Sequence, residues 1–337
     1  MKYDTQTWLR SLKGTHAKKA IPILSFPCVS LLGVTVRELI SSSELQTKGM
    51  KAVADQADTG ASVSFMDLSV EAECFGAAVS VSDDEVPTVK GRCVQNMDEA
   101  QDLPIPTVGT GRTQIYIDAI QKASEIITDR PVFAGMIGPF SLAARLLDVS
   151  EIMMDCYDDP DMVHLVLEKS TSFLTEYAKA FKAAGANGIM MAEPVSGLLS
   201  PSLEEEFSSP YIKKIVDAVQ DDDFVVIYHN CGDNVPKMLD SILSTGAAAY
   251  HFGNAVDMER DIIARIPSDT VVMGNIDPAG VLRMGTPESV KRATLSLLEK
   301  CAKYPNFVLS SGCDIPPMTP WENIDAFFAA AKEFYET

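Results

Sequence analysis

The chain has 337 residues, of which 46% are hydrophobic, and a formal net charge of −19. This acidic balance argues against non-specific nucleic-acid binding, which needs basic surface to neutralise phosphates. The sequence contains no apolar run of about 18 residues, so it predicts no transmembrane helix. Seven irregularly spaced cysteines, and the lack of an apolar signal-peptide core in residues 1–14, indicate a reducing, cytoplasmic location.

Short apolar runs alternate with helix-length stretches along the chain. Eight of these runs are apolar on both faces, which is typical of strands in a covered parallel sheet. The candidate strands are residues 21–26, 61–66, 131–137, 187–192, 224–229, 247–252, 270–275 and 306–311. Helices are predicted between them, for example over residues 161–184, before Gly185, and over residues 286–303, which open with Thr286 and Pro287.

Eight strand–helix units predict an α/β fold, a single (β/α)8 barrel (TIM barrel) domain over residues 1–337. The alternative is an open, doubly wound sheet. No GxGxxG turn follows the first candidate strand, which weakens the dinucleotide-binding form of that alternative. Residues 1–14 predict a short amphipathic N-terminal helix, and residues 73–95 predict a small hairpin insertion near the barrel mouth.

Two candidate strands end in side chains that bind metals. His229 ends the fifth strand and Cys231 follows two positions later, so on an extended chain both point the same way. Cys313 follows the eighth strand, and the carboxyl ends of barrel strands meet at one rim. One nitrogen and two sulfurs suit tetrahedral zinc, and three protein ligands leave the fourth position open, as in catalytic zinc sites.

These residues also have interpretations that involve no metal. A His-x-Cys pair arises easily by chance, and a lone cysteine after a strand is most often part of the core. The coincidence of both at strand ends, each beside a glycine, favours the metal site. His251 also lies at a strand end and is a rival ligand, but its neighbours Tyr250 and Phe252 favour a packed position.

Six motifs carry a resemblance to a known family. They are residues 66–76 (MDLSVEAECFG), 138–140 (GPF), 193–201 (EPVSGLLSP), 229–232 (HNCG), 274–278 (GNIDP) and 312–323 (GCDIPPMTPWEN). Over nearly its whole length the sequence resembles the uroporphyrinogen decarboxylase superfamily, and within it the branch of cobamide-dependent methyltransferases that methylate coenzyme M. In that branch the His-x-Cys pair and the distant cysteine are the zinc ligands.

The resemblance implies a reaction and its participants. The metal would be Zn²⁺, the methyl donor a methylcobamide (corrinoid) carried on a separate, transient partner protein, and the acceptor a small thiol. Coenzyme M, homocysteine, another thiol or a folate-like acceptor all remain open. Two other functions also remain open, namely a decarboxylase for a smaller substrate and a non-catalytic zinc protein.

Polar side chains at other strand ends are further candidates. Asp67 matches an aspartate important in the decarboxylases, and Glu71 is predicted to touch substrate or the metal's surroundings, with a solvated loop as the alternative. Glu193 ends the fourth strand, and a buried carboxylate needs a partner, so it is a candidate fourth zinc ligand or acceptor for the metal-binding histidine. Asn275 and Asp277 are candidates for cofactor binding, with helix capping as the alternative for Asp277.

We predict that the chain has no uroporphyrinogen decarboxylase activity. Those enzymes carry an arginine-rich segment after the first strand, which grips the propionates of the substrate. Here residues 26–33 (FPCVSLLG) contain no arginine, and the next one is Arg37. A neutral apolar loop cannot hold a tetrapyrrole with many carboxylates. Incubation with uroporphyrinogen should yield no coproporphyrinogen, and its appearance would contradict the prediction.

Overall fold

The computed structural model describes residues 3–336, and its centre is a curled parallel sheet. The strands are β1 Ser62–Val63, β2 Ala78–Ser80, β3 Thr88–Lys90, β4 Val132–Ile137, β5 Gly188–Ala192, β6 Val225–Asn230, β7 Ala249–Phe252, β8 Val271–Ile276 and β9 Phe307–Ser311. Over these residues the sheet has seven strands in the order β1-β4-β5-β6-β7-β8-β9, and β2 pairs with β3 in a separate hairpin. Neighbouring strands of the sheet are all parallel, as the apolar runs predicted.

Helices connect the successive parallel strands. The α-helices are α1 Thr5–Ser11, α2 Cys28–Leu32, α3 Val36–Ile40, α4 Ser43–Gln56, α5 Val70–Cys74, α6 Met97–Asp102, α7 Thr113–Ile126, α8 Pro139–Leu147, α9 Val149–Asp158, α10 Pro160–Ala183, α11 Pro201–Phe207, α12 Ser209–Val219, α13 Val235–Ser244, α14 Pro287–Cys301 and α15 Trp321–Glu336. Short 3-10 or π turns occupy Ser196–Leu198, Met258–Ile262, Ile263–Arg265 and Pro278–Arg283. Among the described residues no helix has the length and apolar character needed to cross a membrane.

The two helices predicted from their end signals agree with α10 and α14 to within two residues. Gly185 follows α10 with a φ of 96°, a left-handed conformation that ends the helix and that glycine adopts without a Cβ penalty. The Thr286 side chain accepts a hydrogen bond from the Ser289 N–H at the start of α14. Local capping chemistry therefore sets these boundaries.

The predicted first strand, residues 21–26, is wrong as a regular strand, although the other seven predicted runs each contain a strand of the sheet. Pro22 has no N–H to give to a ladder, and the Ile23 N–H donates to the Ser311 side chain rather than to a backbone carbonyl. The segment still lies along the last strand, because the Ile21 N–H donates to the Leu309 carbonyl at 2.9 Å. The Gly60 N–H, just before β1, donates to the Ala20 carbonyl at 2.9 Å, so this extended segment lies between β9 and β1 without forming a regular eighth strand over residues 3–336.

The inner face of the curled sheet is filled with apolar side chains. Residues two apart, such as Val225 and Ile227, point to the same face of a strand and belong to one buried cluster. The cluster consists of Trp8, Leu12, Ile21, Ile23, Ala61, Val63, Met66, Phe133, Met190, Ala192, Val225, Ile227, Ala249, Val271, Met273 and Val308. The centre of the sheet is therefore a packed core rather than a pore.

The helix α1 lies at the amino ends of the strands. The Trp8 ring is 5.0 Å from the Phe133 ring, and its Nε1 donates to the Gly60 carbonyl, just before β1, at 2.9 Å. Asn187, just before β5, donates its Nδ2 to the Thr5 hydroxyl at 3.0 Å. Because Trp8 is 3% exposed and belongs to the inner cluster, α1 closes the amino-terminal end of the sheet.

The hairpin formed by β2 and β3 lies on the opposite, carboxyl-end side. Asp83 pairs with Arg37 in α3, and Glu85 pairs with Arg283, which lies in the turn after β8. Both arginines lie in segments that leave the carboxyl ends of the sheet. The hairpin therefore lies beside the face where the candidate metal ligands emerge.

We expect Trp8→Ala to lower the free energy of unfolding by about 3–5 kcal/mol, because a large buried side chain is replaced by a cavity at the closed end of the sheet. Ile126→Ala, at a side chain that is 46% exposed, is the matched control and should change stability by less than about 0.5 kcal/mol. Urea unfolding followed by circular dichroism measures both. Equal effects of the two substitutions would show that α1 does not close the core.

Candidate metal centre

Three potential metal ligands converge at the carboxyl ends of β6 and β9. His229 is the penultimate residue of β6, Cys231 follows that strand, and Cys313 lies two residues beyond β9. One ligand atom of each residue lies within 4.8 Å of the others, and His229 Nε2 is 3.4 Å from Cys313 Sγ. The structure thus brings together the three residues that the sequence analysis selected from distant segments.

The donor set and its spacing fit a zinc ion. Tetrahedral zinc bonded to nitrogen at ~2.0 Å and to sulfur at ~2.3 Å sets those two atoms about 3.5 Å apart, close to the observed separation of His229 and Cys313. His229 is 1% exposed, whereas Cys231 and Cys313 are half-buried. The imidazole therefore belongs to the most buried of the three residues, and the two cysteines are partly exposed.

The two thiols form a coupled pair. A hydrogen bond from the Cys313 thiol, aided by nearby His229, lowers the pKa of Cys231 despite its burial. The same hydrogen bond, together with burial, raises the pKa of Cys313. The two sulfurs therefore lose their protons as a pair, and a cation bound between them would favour loss of both protons.

Close backbone packing allows Cys231 to occupy this position. A Cβ on Gly253, just after β7, would lie 2.6 Å from the Cβ of Cys231. A Cβ on Gly232 would lie 2.4 Å from the Cα of Gly197, in the turn after β5. Only glycine permits these approaches, because any larger residue would push the Cys231 loop away from His229.

His251 is a hydrogen-bond partner of His229, and it is absent from the group of three ligands found among the described residues. The Nδ1 atoms of the two rings are 2.8 Å apart, and His251 Nε2 is 2.7 Å from the Ser310 hydroxyl. Ser310 in turn donates to the Ile21 carbonyl at 2.7 Å. The predicted packed position of His251 agrees with its complete burial, and burial lowers the pKa of His251 well below its usual range.

Glu193 has a different set of contacts from those expected. One carboxylate oxygen accepts from the Phe140 N–H at 3.1 Å and the other from the Ser141 N–H at 2.5 Å, both at the start of α8. The ring of His229 contacts His251, and no hydrogen bond joins that ring to Glu193 among the described residues, so a role for Glu193 as its acceptor stays a prediction. Burial raises the pKa of Glu193 to about 7, and the bonds from α8 oppose this rise.

Asp67 is enclosed by side chains at the end of β1. One oxygen accepts from the Ser69 N–H and hydroxyl, and the other accepts from the Tyr116 hydroxyl at 2.9 Å and forms an ion pair with Arg112. Arg112 also pairs with Glu73 at 2.6 Å. These contacts anchor the loop before α7 to the mouth and occupy both oxygens of Asp67.

Glu71 lies in α5 and is completely buried. One oxygen accepts from the Ile137 N–H at the end of β4, at 3.1 Å, and the other has no hydrogen-bond partner within residues 3–336. Burial raises the pKa of Glu71 to about 7, so the neutral form is substantially populated near neutral pH. Glu71 is therefore buried at the mouth rather than in a solvated loop.

The two candidate cofactor-binding residues make contacts with the chain itself. Asn275 donates its amide to the carbonyls of Gly253 and Val256, at 3.0 and 2.9 Å. It thereby holds the loop that packs against Cys231. Asp277 accepts from the N–H groups of Ala279 and Gly280, which is the helix-capping role that the sequence left open.

The fold and the site together define a class of protein. A curled parallel sheet with metal-binding side chains at the carboxyl ends of its strands has the arrangement of TIM-barrel-like enzymes, whose active sites lie at that end. Comparison with known families then identifies the family to which the chain belongs. It belongs to the uroporphyrinogen decarboxylase (URO-D) family, whose model matches residues 23–334.

Relatives within this family have different activities. The chain is 31% identical over 274 residues to methylcobamide:CoM methyltransferase MtbA of Methanosarcina acetivorans, a match that covers 80% of this chain and 78% of that protein. It is 26% identical over 292 residues to a uroporphyrinogen decarboxylase of Coxiella burnetii, which covers 81% and 77% of the two chains. A solved methyltransferase structure from Methanosarcina mazei superposes with a TM-score of 0.86 at 26% identity, over 99% of this chain and 100% of that one.

Sequence reasoning missed several residues around the site. Arg112, just before α7, and Tyr116, within α7, lie more than 40 positions beyond Asp67, and no local pattern links them to it. The His229–His251 contact had a usable signal, since both residues end neighbouring predicted strands. The register His229 opposite His251 makes them neighbours, and that register emerges only from the assembled sheet.

We predict about one zinc ion per chain when the protein is purified with metal present, because the site offers one nitrogen and two sulfurs at zinc-compatible spacing. Cys231→Ser and Cys313→Ser should each abolish stoichiometric zinc binding and leave the circular dichroism spectrum unchanged. Cys93→Ser, at a half-buried thiol outside this group, is the matched control and should retain zinc. Elemental analysis measures all four proteins, and a zinc-free wild type would contradict the assignment.

Proposed function

We propose that this protein transfers a methyl group from a methylated corrinoid, carried on a separate protein, to a thiol bound at His229, Cys231 and Cys313. Coenzyme M or a similar small thiol is the proposed acceptor. The observation that carries the proposal is the convergence of His229, Cys231 and Cys313 at the carboxyl ends of the strands. Support for the donor comes from the relatives named as methylcobamide:CoM methyltransferases.

The residues of the site suit an acceptor thiol. His229 would supply a neutral nitrogen, and Cys231 and Cys313 would supply two negative charges that balance a dication. Zinc held by these residues would act as a Lewis acid that lowers the pKa of a bound thiol toward neutrality. Because Cys231 and Cys313 are partly exposed and His229 is buried, the acceptor would approach from the side of the cysteines.

The proposed reaction is a nucleophilic displacement. The acceptor thiolate attacks the methyl carbon of the methylcobamide, a carbon–sulfur bond forms and the carbon–cobalt bond breaks. The electron pair of the broken bond stays with the corrinoid, which leaves in its reduced form, and the thiol proton is released to solvent. The contribution of the protein is to position the thiolate and to keep its surroundings fixed by packed loops.

The decarboxylase alternative has less support from the contacts at the mouth. Both oxygens of Asp67 are already bonded to Ser69, Tyr116 and Arg112. In the segment where decarboxylases hold propionates, residues 26–33 form the short helix α2 and contain no arginine. A catalytic role for Asp67, Glu71 or Glu193 stays a prediction.

A screen of thiols with free methylcobalamin tests the proposal. With the true acceptor, the zinc-loaded protein should accelerate loss of the methylcobalamin absorbance, and Cys93→Ser should behave like the wild type. Cys313→Ser should lose most of this rate, since removal of one ligand leaves no stable metal site. X-ray absorption at the zinc edge should show about three sulfur neighbours with the acceptor and about two without it. A zinc-loaded protein that methylates no thiol would overturn the proposed function.

A further inference from the structure

The hydrogen bonds behind His229 form a chain whose proton positions can be deduced from chemistry alone. The chain runs from His229 to His251, then to the Ser310 hydroxyl and the Ile21 carbonyl. All three side chains are 1% exposed or less. None of these contacts involves a carboxylate, a lysine or an arginine, so the rings and the hydroxyl have only one another and a carbonyl as partners along this path.

The contact between Ser310 and Ile21 determines the proton positions in the other contacts. A carbonyl oxygen can only accept, so the single hydroxyl proton of Ser310 points to Ile21. Ser310 must then accept from His251, which places a proton on Nε2 of that ring. A completely buried imidazole without an anionic partner is favoured in its neutral form, so His251 Nδ1 carries a lone pair.

The consequence for His229 is a single tautomer. The contact between the two Nδ1 atoms, at 2.8 Å, needs one donor, and only His229 can supply it. A second contact agrees, because His229 Nδ1 also lies 3.3 Å from the His251 carbonyl oxygen, which can only accept. With its proton on Nδ1, a neutral His229 has its lone pair on Nε2, the ring atom that lies 3.4 Å from Cys313 Sγ and faces the metal ligands.

We propose that His251 and Ser310 are positioning residues that hold His229 as the Nδ1–H tautomer and so prepare its Nε2 to bind the metal before the metal arrives. Most metal-binding histidines donate their second N–H to a carboxylate or a backbone carbonyl. A neutral imidazole in that role adds no charge, so the two cysteines remain the source of negative charge at the site. This inference rests on the metal centre of the proposed function, but it concerns the protein's own hydrogen bonds.

The tautomer can be observed directly, because the protein contains four histidines and few ring signals have to be assigned. Uniform ¹⁵N labelling of histidine and a long-range ¹H–¹⁵N correlation spectrum distinguish Nδ1–H from Nε2–H rings. The metal-free wild type should show His229 with its proton on Nδ1 and His251 with its proton on Nε2. Zinc should shift the His229 Nε2 resonance and leave its Nδ1–H in place. An Nε2–H form of His229 in the metal-free protein would overturn the proposal.

Zinc affinity, measured by competition with a chromophoric chelator, tests how much His251 and Ser310 contribute to metal binding. His251→Leu removes the ring acceptor, leaves only the longer contact to the backbone carbonyl of residue 251, and should weaken zinc binding by about 10–100-fold. His251→Asn keeps a side-chain carbonyl near the Nδ1 position and should restore affinity to within about 3-fold of the wild type. Ser310→Ala should lie between them and should show a mixture of ring tautomers. His164→Gln is the matched control, since His164 contacts Tyr211 and Glu206 outside the site.

The outcomes separate the inference from its alternatives. Equal losses of zinc affinity in His251→Leu and His251→Asn would assign the effect to packing and reject the hydrogen-bond role. Wild-type zinc affinity in His251→Leu would also reject that role. If His251→Leu does not fold, the wild-type tautomers and the affinity of Ser310→Ala decide the question. No thiol or corrinoid is present in these measurements, so a failed methyl-transfer assay beside the expected tautomer would refute the function and leave the inference standing.

Discussion

The arrangement at the mouth depends on the parallel register that sets His229 opposite His251 in neighbouring strands. Side chains alternate between the faces of a strand, so a shift of one residue would turn His229 out of the site and separate the two rings. The same register sets Ala192 opposite His229 and lets the Glu193 N–H donate to the His229 carbonyl at 2.8 Å. Strand pairing thus fixes the His229 backbone beside β5 and sets its ring next to His251 of β7.

The carboxylates near the mouth are used to hold secondary structure together. Glu193 joins the end of β5 to the start of α8, and Glu71 joins α5 to the end of β4. Asp67 anchors the loop that carries Arg112. These bonds leave Cys231 and Cys313 as the residues of the three-ligand cluster that can become negatively charged when a metal binds. A site of two thiolates and one imidazole favours a borderline-soft metal such as zinc over the hard cations that carboxylates attract.

The sequence predicted the features that local pattern and strand order determine. Apolar runs identified seven strands of the sheet, capping residues located α10 and α14, and strand ends selected His229, Cys231 and Cys313. The features it missed depend on contacts between distant segments or on competition for hydrogen bonds. Pro22 interrupts the first predicted strand, and Glu193 binds the α8 amino terminus. The role of His251 follows from its partners on both sides, which become neighbours only in the folded sheet.

Because Trp8 closes one end of the sheet, the proposed function implies a fixed order in which the two substrates bind. Both substrates must approach the sulfurs from the same side, because α1 fills the amino-terminal end of the interior. A protein-bound corrinoid that covers this single entrance would block the diffusion of a small thiol behind it. Turnover would then follow a compulsory sequence, with the thiol entering first and the methylated thiol leaving only after the corrinoid protein has dissociated.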